Sequence, residues 1–195
     1  MVAEGHGRPV PAGPPAAPRV RALTAVRLAV PADAAAVAAL LQSAAADGTL
    51  GRDAADFGEA DVFRWLSGTD LRVACTLVVT VAGEVRGVAL ATRGAPRVLA
   101  HVATVALAVD GRERRCGLGR LLLGGLAAWA GAAGVVKLTA GVCRGNAAAL
   151  ALFHAAGYRV EGVRRRQFWV DAGWEDEVLF GRFCDAAGAS VTGGD

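Results

Sequence analysis

The sequence predicts one α/β domain of α+β type, a central mixed, mostly antiparallel sheet of roughly six to seven strands flanked by about four helices. Three observations predict it. Strand-like segments come first, a strand-helix-strand-helix unit follows, and two long strand-like segments close the chain. Between the fourth strand-like run and its helix lies a turn, Arg114-Arg115-Cys116-Gly117-Leu118-Gly119-Arg120, of the kind that joins a buried strand to a helix. The composition, 54% apolar and 20% charged over 195 residues, suits a single sizeable core. The domain is expected over residues 25–184, with a Pro-rich tail at 1–24 and a frayed tail at 185–195.

Residues 25–30 read as a first strand, after which Pro31-Ala32-Asp33 turns into a helix with Val37, Leu40, Leu41 and Ala44 on one face. From 45 to 71 the pattern is broken by Gly48, Gly51, Gly58 and Gly68, leaving a short helix over 59–66 that places Val62, Phe63 and Leu66 together. Residues 75–81 and 85–92 form a hairpin around Ala82-Gly83-Glu84. A strand over 99–109 precedes the glycine turn, and the next helix carries Leu118, Leu122, Leu126 and Trp129 until residues 131–134 end it. Val136, Leu138, Ala140 and Val142 alternate as a fifth strand. Asn146 is the N-cap of a helix that buries Ala149, Leu152, Phe153 and Ala156 and stops at Gly157. A hairpin of 158–170 and 174–184 closes the domain.

Several function classes are disfavoured by composition. The net charge of +3 comes from arginines scattered along the chain, which argues against nucleic acid. Cys75, Cys116, Cys143 and Cys184 have no Cys-x-x-Cys spacing, so neither zinc nor a disulfide framework is indicated and no metal is expected. They read as reduced thiols of a cytoplasmic protein. The longest uncharged run, residues 121–136, is shorter than the roughly 20 residues a bilayer span requires, so no membrane association is expected.

The turn at 114–120 carries the chemistry. A strand-to-helix turn leaves the first helical amides without intrahelical partners and places the positive dipole end there, which suits an anionic diphosphate. Gly117 and Gly119 let a ligand approach the backbone, while Arg114, Arg115 and Arg120 add charge. A Walker loop would need Gly-Lys-Ser/Thr, yet the one lysine is Lys137. A dinucleotide fingerprint would need glycine where Leu122 stands. A nicotinamide-dependent oxidoreductase is disfavoured accordingly.

Arg/Gln-x-x-Gly-x-Gly/Ala directly after Leu107-Ala108-Val109 resembles motif A of the GNAT superfamily of acyl-CoA-dependent N-acyltransferases. Asn146-Ala147-Ala148-Ala149-Leu150-Ala151-Leu152-Phe153 with Gly157-Tyr158 is similar to the family's Asn-x-x-Ala-x-x-Leu-Tyr followed by Gly-Phe, and Arg27 to Asp33 to its opening Arg-x-Ala-x-Pro-x-Asp. Glu161-Gly162 and the acidic run at 175–177 resemble the branch containing amino-acid and protein N-terminal acetyltransferases. The resemblance covers roughly residues 25–183. It implies an N-acetyltransferase that uses acetyl-CoA (coenzyme A) as acyl donor, without metal. The amides of 114–120, including those of Cys116 and Leu118, would hold the pyrophosphate. The backbone of Leu107 and Val109 would pair with the pantetheine arm, with Asn146 and Phe153 also at the cofactor.

Acetyl transfer to an amine also needs a deprotonated nucleophile and relief of charge on the leaving thiol. His101 is the acid-base candidate, expected on the strand face of Ala103, Val105 and Leu107; the alternative is a local structural hydrogen bond. The resemblance implies a glutamate base there in many members and a tyrosine acid where Phe153 stands. Phenylalanine donates no proton, so the acid is unassigned, with Tyr158 and His154 as substitutes. Cys143 could form an acyl-enzyme but reads more naturally as a small buried residue. Glu175, Asp176 and Glu177 suit a cationic amine or a solvated hairpin, and Arg164-Arg165-Arg166 a solvated edge or an anionic acceptor. The acceptor is a primary amine of a small molecule, amino acid or protein N-terminus, and a homodimer is possible. The alternative function is a non-catalytic acyl-CoA-binding regulator.

Overall fold

The computed structural model describes residues 23–48, 50, 54–170 and 173–184. Both expected tails lie outside the described residues apart from Leu23 and Thr24. Seven strands form one sheet in the order β1-β2-β3-β4-β5-β7-β6. They are β1 Thr24–Leu28, β2 Ala74–Val81, β3 Glu84–Arg93, β4 Val102–Val109, β5 Lys137–Cys143, β6 Arg159–Val170 and β7 Gly173–Phe183. The helices are α1 Ala34–Ala46, α2 Glu59–Ser67, α3 Leu118–Ala133 and α4 Ala147–Ala155. Every neighbouring pair is antiparallel except β4 with β5.

The sheet is covered on both faces. Leu122, Leu123 and Leu126 of α3 and Phe153 of α4 pack on Leu77, Val79, Val105, Leu138 and Phe180. Opposite them, Val37 and Leu41 of α1 and Val62 and Leu66 of α2 pack on Val78, Val88 and Ala108. This second layer reaches only as far as β4, so the outer face of β5 and β7 on that side carries no helix. α1 is anchored where it begins. Asp33 accepts two 2.7 Å bonds from the Arg27 guanidinium and one of 2.9 Å from the Val30 amide.

The expected elements all form, with informative differences at their edges. The β2–β3 turn is two residues long, with Ala82 and Gly83 both at positive φ (53° and 87°) and Glu84 already paired with Val81. Such a turn matches the twist of the strands it joins. Phe63 is 50% exposed, although Val62 and Leu66 are buried as expected. β4 starts at Val102, because Arg97–Leu99 coil into a 3-10 turn. Arg93 Nε donates to the Ala100 carbonyl (2.6 Å), which holds that corner off the strand. Of the face expected to be buried on α4, only Phe153 is buried. Among the described residues no helix is long and apolar enough to cross a membrane.

Candidate active site

β4 and β5 are paired only at three positions, Val102 with Lys137, Ala103 with Leu138 and Thr104 with Thr139. There the Thr104 and Thr139 hydroxyls lie 3.4 Å apart. Beyond them β5 follows β7, through Ala140↔Phe180 to Cys143↔Glu177, while β4 follows β3 through Val105↔Ala91 to Val109↔Gly87. The strands therefore diverge and open a cleft of about 820 Å³. Along residues 105–109 the β4 edge facing this cleft has no strand partner among the described residues. Its N–H and C=O groups are available to an extended ligand carrying amides, as an added strand would use them.

The mouth of α3 closes one end. Its N-cap is Gly117 at φ 84°, ψ 0°, and no side chain caps the helix. The first amides, which have no partner within a helix, are thus left bare with the positive dipole end. A Cβ on Gly117 would meet nothing within 4 Å, so there the glycine serves backbone conformation and open approach. Gly119 serves packing, since a Cβ would lie 2.7 Å from Leu152 Cδ2 and would displace that side chain. Arg114 and Arg115 line the cleft, and Arg114 Nη2 reaches Asp47 Oδ2 at 3.0 Å, linking the turn to the end of α1.

α4 forms the opposite wall. Asn146 Oδ1 accepts from the Ala149 amide (3.0 Å) and caps the helix, while Ala147, Ala148 and Ala151 keep the wall thin. Phe153, 4% exposed, stacks on Phe180 at 5.6 Å and meets Tyr158 edge-on at 5.0 Å. Ala149 and Leu152 are only half-buried because they pack on the core with one side and line the cleft with the other.

Eight residues singled out in the sequence line one space: Leu107, Val109, Arg114, Arg115, Leu118, Gly119, Asn146 and Phe153. Cys116, Gly117 and Arg120 belong to the same turn but do not line the cleft. His101 is not brought to it. It is exposed, precedes β4, and takes part through its carbonyl, which accepts from the Val136 and Lys137 amides. The expected strand face with Ala103, Val105 and Leu107 does not include it, because the chain turns at residue 101 before the strand begins. Tyr158, 2% exposed, lies in the core with its hydroxyl unpartnered and pushed up by burial, so it does not face the cleft as an acid. His154 is exposed and meets Phe180 edge-on.

The acidic run on β7 divides by face. Asp176 is structural: it accepts from the Arg166 amide (2.9 Å) in the β6 bulge, lies 3.6 Å from Arg144 Nε, and its carbonyl accepts from the Arg144 amide. Glu175 and Glu177 point to the other side, beside Cys143. Glu175 Oε1 accepts from the Gly145 amide (2.5 Å) and lines a second cavity of about 350 Å³ with Asp47 and Cys143. Glu177 is 12% exposed at its side chain, receives Arg164 Nη1 at 3.0 Å, and lies over Gly141, in space a Cβ there would fill. Burial first, then the Glu175 and Glu177 charges, pushes the Cys143 thiol up, which opposes a thiolate nucleophile.

Missing from the sequence reading were Ala44, Leu50, Gly141 and Phe168, all of which line the main cleft. Gly141 carried a signal, since a glycine inside an alternating strand marks a close approach.

Comparisons place this geometry. The model of the Acetyltransferase (GNAT) family matches residues 38–158. A ribosomal-protein-alanine N-acetyltransferase from Brucella melitensis is 26% identical with a TM-score of 0.75, covering 82% of this chain and 99% of its own. A GCN5-related N-acetyltransferase from Kribbella flavida is 25% identical with a TM-score of 0.74, covering 82% and 97%. A putative acetyltransferase from Salmonella typhimurium, solved with its cofactor acetyl-CoA, shares the fold at 22% identity and a TM-score of 0.78, covering 84% and 95%. No curated protein matches the chain significantly. The family model spans the diverging strands, the α3 mouth and α4, and the chain belongs to the acetyltransferase (GNAT) family of acyltransferases.

Proposed function

We propose that the protein moves an acetyl group from acetyl-CoA to a primary amine by direct attack within a ternary complex. The observation that carries this is the cleft between β4 and β5, which joins an unpaired strand edge to an uncapped helix mouth flanked by Arg114 and Arg115. An acetyl-CoA molecule presents a diphosphate, an amide-bearing arm and a thioester, and the residues fit each in that order. The α3 amides and the two arginines hold the diphosphate, while the free edge at 107–109 and Asn146 take the arm. When bound, the donor supplies an activated carbonyl. The protein's part is to fix that carbonyl at the divergence, exclude water with Phe153 and Leu107, and bring the amine alongside. The Salmonella neighbour's acetyl-CoA and the Brucella alanine N-acetyltransferase support the donor and the amine class. The four cysteines form no disulfide among the described residues, which suits a reducing cytoplasm.

The test is thiol release from acetyl-CoA over a panel of primary amines, with thermal stabilisation by coenzyme A measured in parallel. Stabilisation with amine-dependent release is expected, and its absence at millimolar excess refutes the reading. A second reading, a non-catalytic acyl-CoA-binding regulator, draws on Phe153, which donates no proton where a family acid would stand. Stabilisation without turnover on any amine would decide for it.

A further inference from the structure

We infer that Glu177, on β7, is the carboxylate that receives the acceptor's ammonium and takes its proton during acetyl transfer. This deepens the proposed function and rests on it for the identity of the donor. The argument begins with Gly141, which lines the cleft in the middle of β5. In an interior strand a glycine weakens pairing and gives up side-chain packing, so its position calls for a structural reason. Here the reason is visible: the Glu177 carboxyl group fills the place where a residue 141 side chain would begin. Gly141 pairs with Leu179 and Cys143 with Glu177, so Glu177 leans back along the sheet toward the divergence of β4 from β5.

Three surroundings favour an amine at that seat. The carboxylate is on the face that α1 and α2 leave uncovered, alongside Thr139 and Thr104 at the apex of the cleft. Glu175, on the same face, lines the adjoining cavity with Asp47, and among the described residues no basic side chain lines that cavity, although Arg114 pairs with Asp47. The Glu177 side chain is 12% exposed, enough shielding for its charge to act on a cation more strongly than in open water. Arg164 holds one edge of the carboxylate through Oε2, which orients the other oxygen over Gly141.

The step balances as follows. The amine nitrogen forms its bond to the donor's carbonyl carbon as the carbon–sulfur bond breaks, and the electron pair of that bond leaves on sulfur. The nitrogen becomes acidic as its new bond forms, so a carboxylate can then take the proton. The proton that Glu177 takes passes on to the departing thiolate, which regenerates the carboxylate, and the one lost earlier, when the ammonium became a free amine, ends in solvent. His101, exposed outside the cleft, has no place in this path.

Glu177→Gln and Gly141→Ala test the assignment. The glutamine keeps the shape and a bond to Arg164 without accepting a proton, and the alanine methyl displaces the carboxyl group from its seat. E177Q should be stabilised by coenzyme A as wild type is, with KM for acetyl-CoA unchanged, and Gly141→Ala should share its loss of turnover with the amine. E177Q should lose about 100-fold or more in kcat/KM for the amine, as removal of a general base does. Turnover within threefold of wild type in E177Q overturns the proposal. If wild-type protein binds coenzyme A yet acetylates no amine, the transfer reading falls. Propylammonium binding to the coenzyme A-loaded protein then decides: E177Q abolishes it if the seat is an amine site, and unchanged binding overturns the assignment.

Discussion

Arg114 and Asp47 make an ion pair across the cleft mouth, and removing either partner should shift coenzyme A affinity in opposite directions. The pair is 3.0 Å long with side chains 44% and 52% exposed, so it is worth only about 0–1 kcal/mol in the free protein. A guanidinium contact to a phosphate is charge-assisted and worth about 1.5–3 kcal/mol. If Arg114 leaves Asp47 for the diphosphate, the net gain is about 1–2 kcal/mol, so Arg114→Ala should weaken binding roughly 5- to 30-fold. Asp47→Ala removes the competing partner and should leave affinity unchanged or tighten it by up to about fivefold. The assay is thermal stabilisation at a coenzyme A concentration near 100 times the wild-type Kd, where wild type gains about 2.7 kcal/mol. A tenfold weaker variant gains about 1.4 kcal/mol under the same conditions, a melting temperature some 3–5 °C lower than that of liganded wild type for a chain of this size. Pantetheine, which lacks the diphosphate, is the control and should bind both variants as it binds wild type. Equal losses for coenzyme A and pantetheine in Arg114→Ala, or weaker coenzyme A binding in Asp47→Ala, would refute the placement of the diphosphate at this turn.

Other predictions concern the frame and the chemistry. The Arg27 guanidinium holds the Asp33 carboxyl below its usual range, with help from the Val30 amide against burial. Its contribution is therefore complete above the unfolded value of about 3.9 and is lost as pH falls through the lower folded value. Asp33→Asn should cost about 1–2 kcal/mol at pH 7, allowing for screening at the half-exposed Arg27, and the gap to wild type should narrow below about pH 4 in thermal melts. Cys143→Ala should keep kcat/KM within a few-fold, and intact-mass measurement of wild type with acetyl-CoA should find no acetylated protein. His101→Ala should leave kcat/KM within about twofold, since its side chain lies outside the cleft; a loss beyond tenfold would return it to the reaction.

Much of the frame was legible because it rests on local signals. The glycine turn, the Asn146 cap and the alternation in β5 each depend on residues a few positions apart, and each appears where expected. The start of β4 was not legible, since residues 98–109 contain no charge except at His101 and no breaker. A long-range bond from Arg93 to Ala100 decides where the strand begins. Phe63 failed for a related reason: helical spacing grouped it with Val62 and Leu66, but only the docking of α2 on α1 sets how wide the buried stripe is. In the site, the residues carried by local motifs, at 107–119 and at Asn146 and Phe153, were found, and those without such a signal, Ala44, Leu50 and Phe168, were missed. Glu177 reaches Gly141 through the register of β5 with β7, a pairing no local pattern encodes.

The three-position join between β4 and β5 has a consequence for cooperativity. Strands β1–β4 with α1 and α2 make one block, and β5–β7 make another, stitched mainly through that short seam and the packing of α3. A ligand lying along the free β4 edge while touching α4 would act as a suture between them. Amide hydrogen exchange in β5 and β7 should accordingly slow on loading, well beyond the residues the ligand touches, because opening one block would then require releasing the ligand.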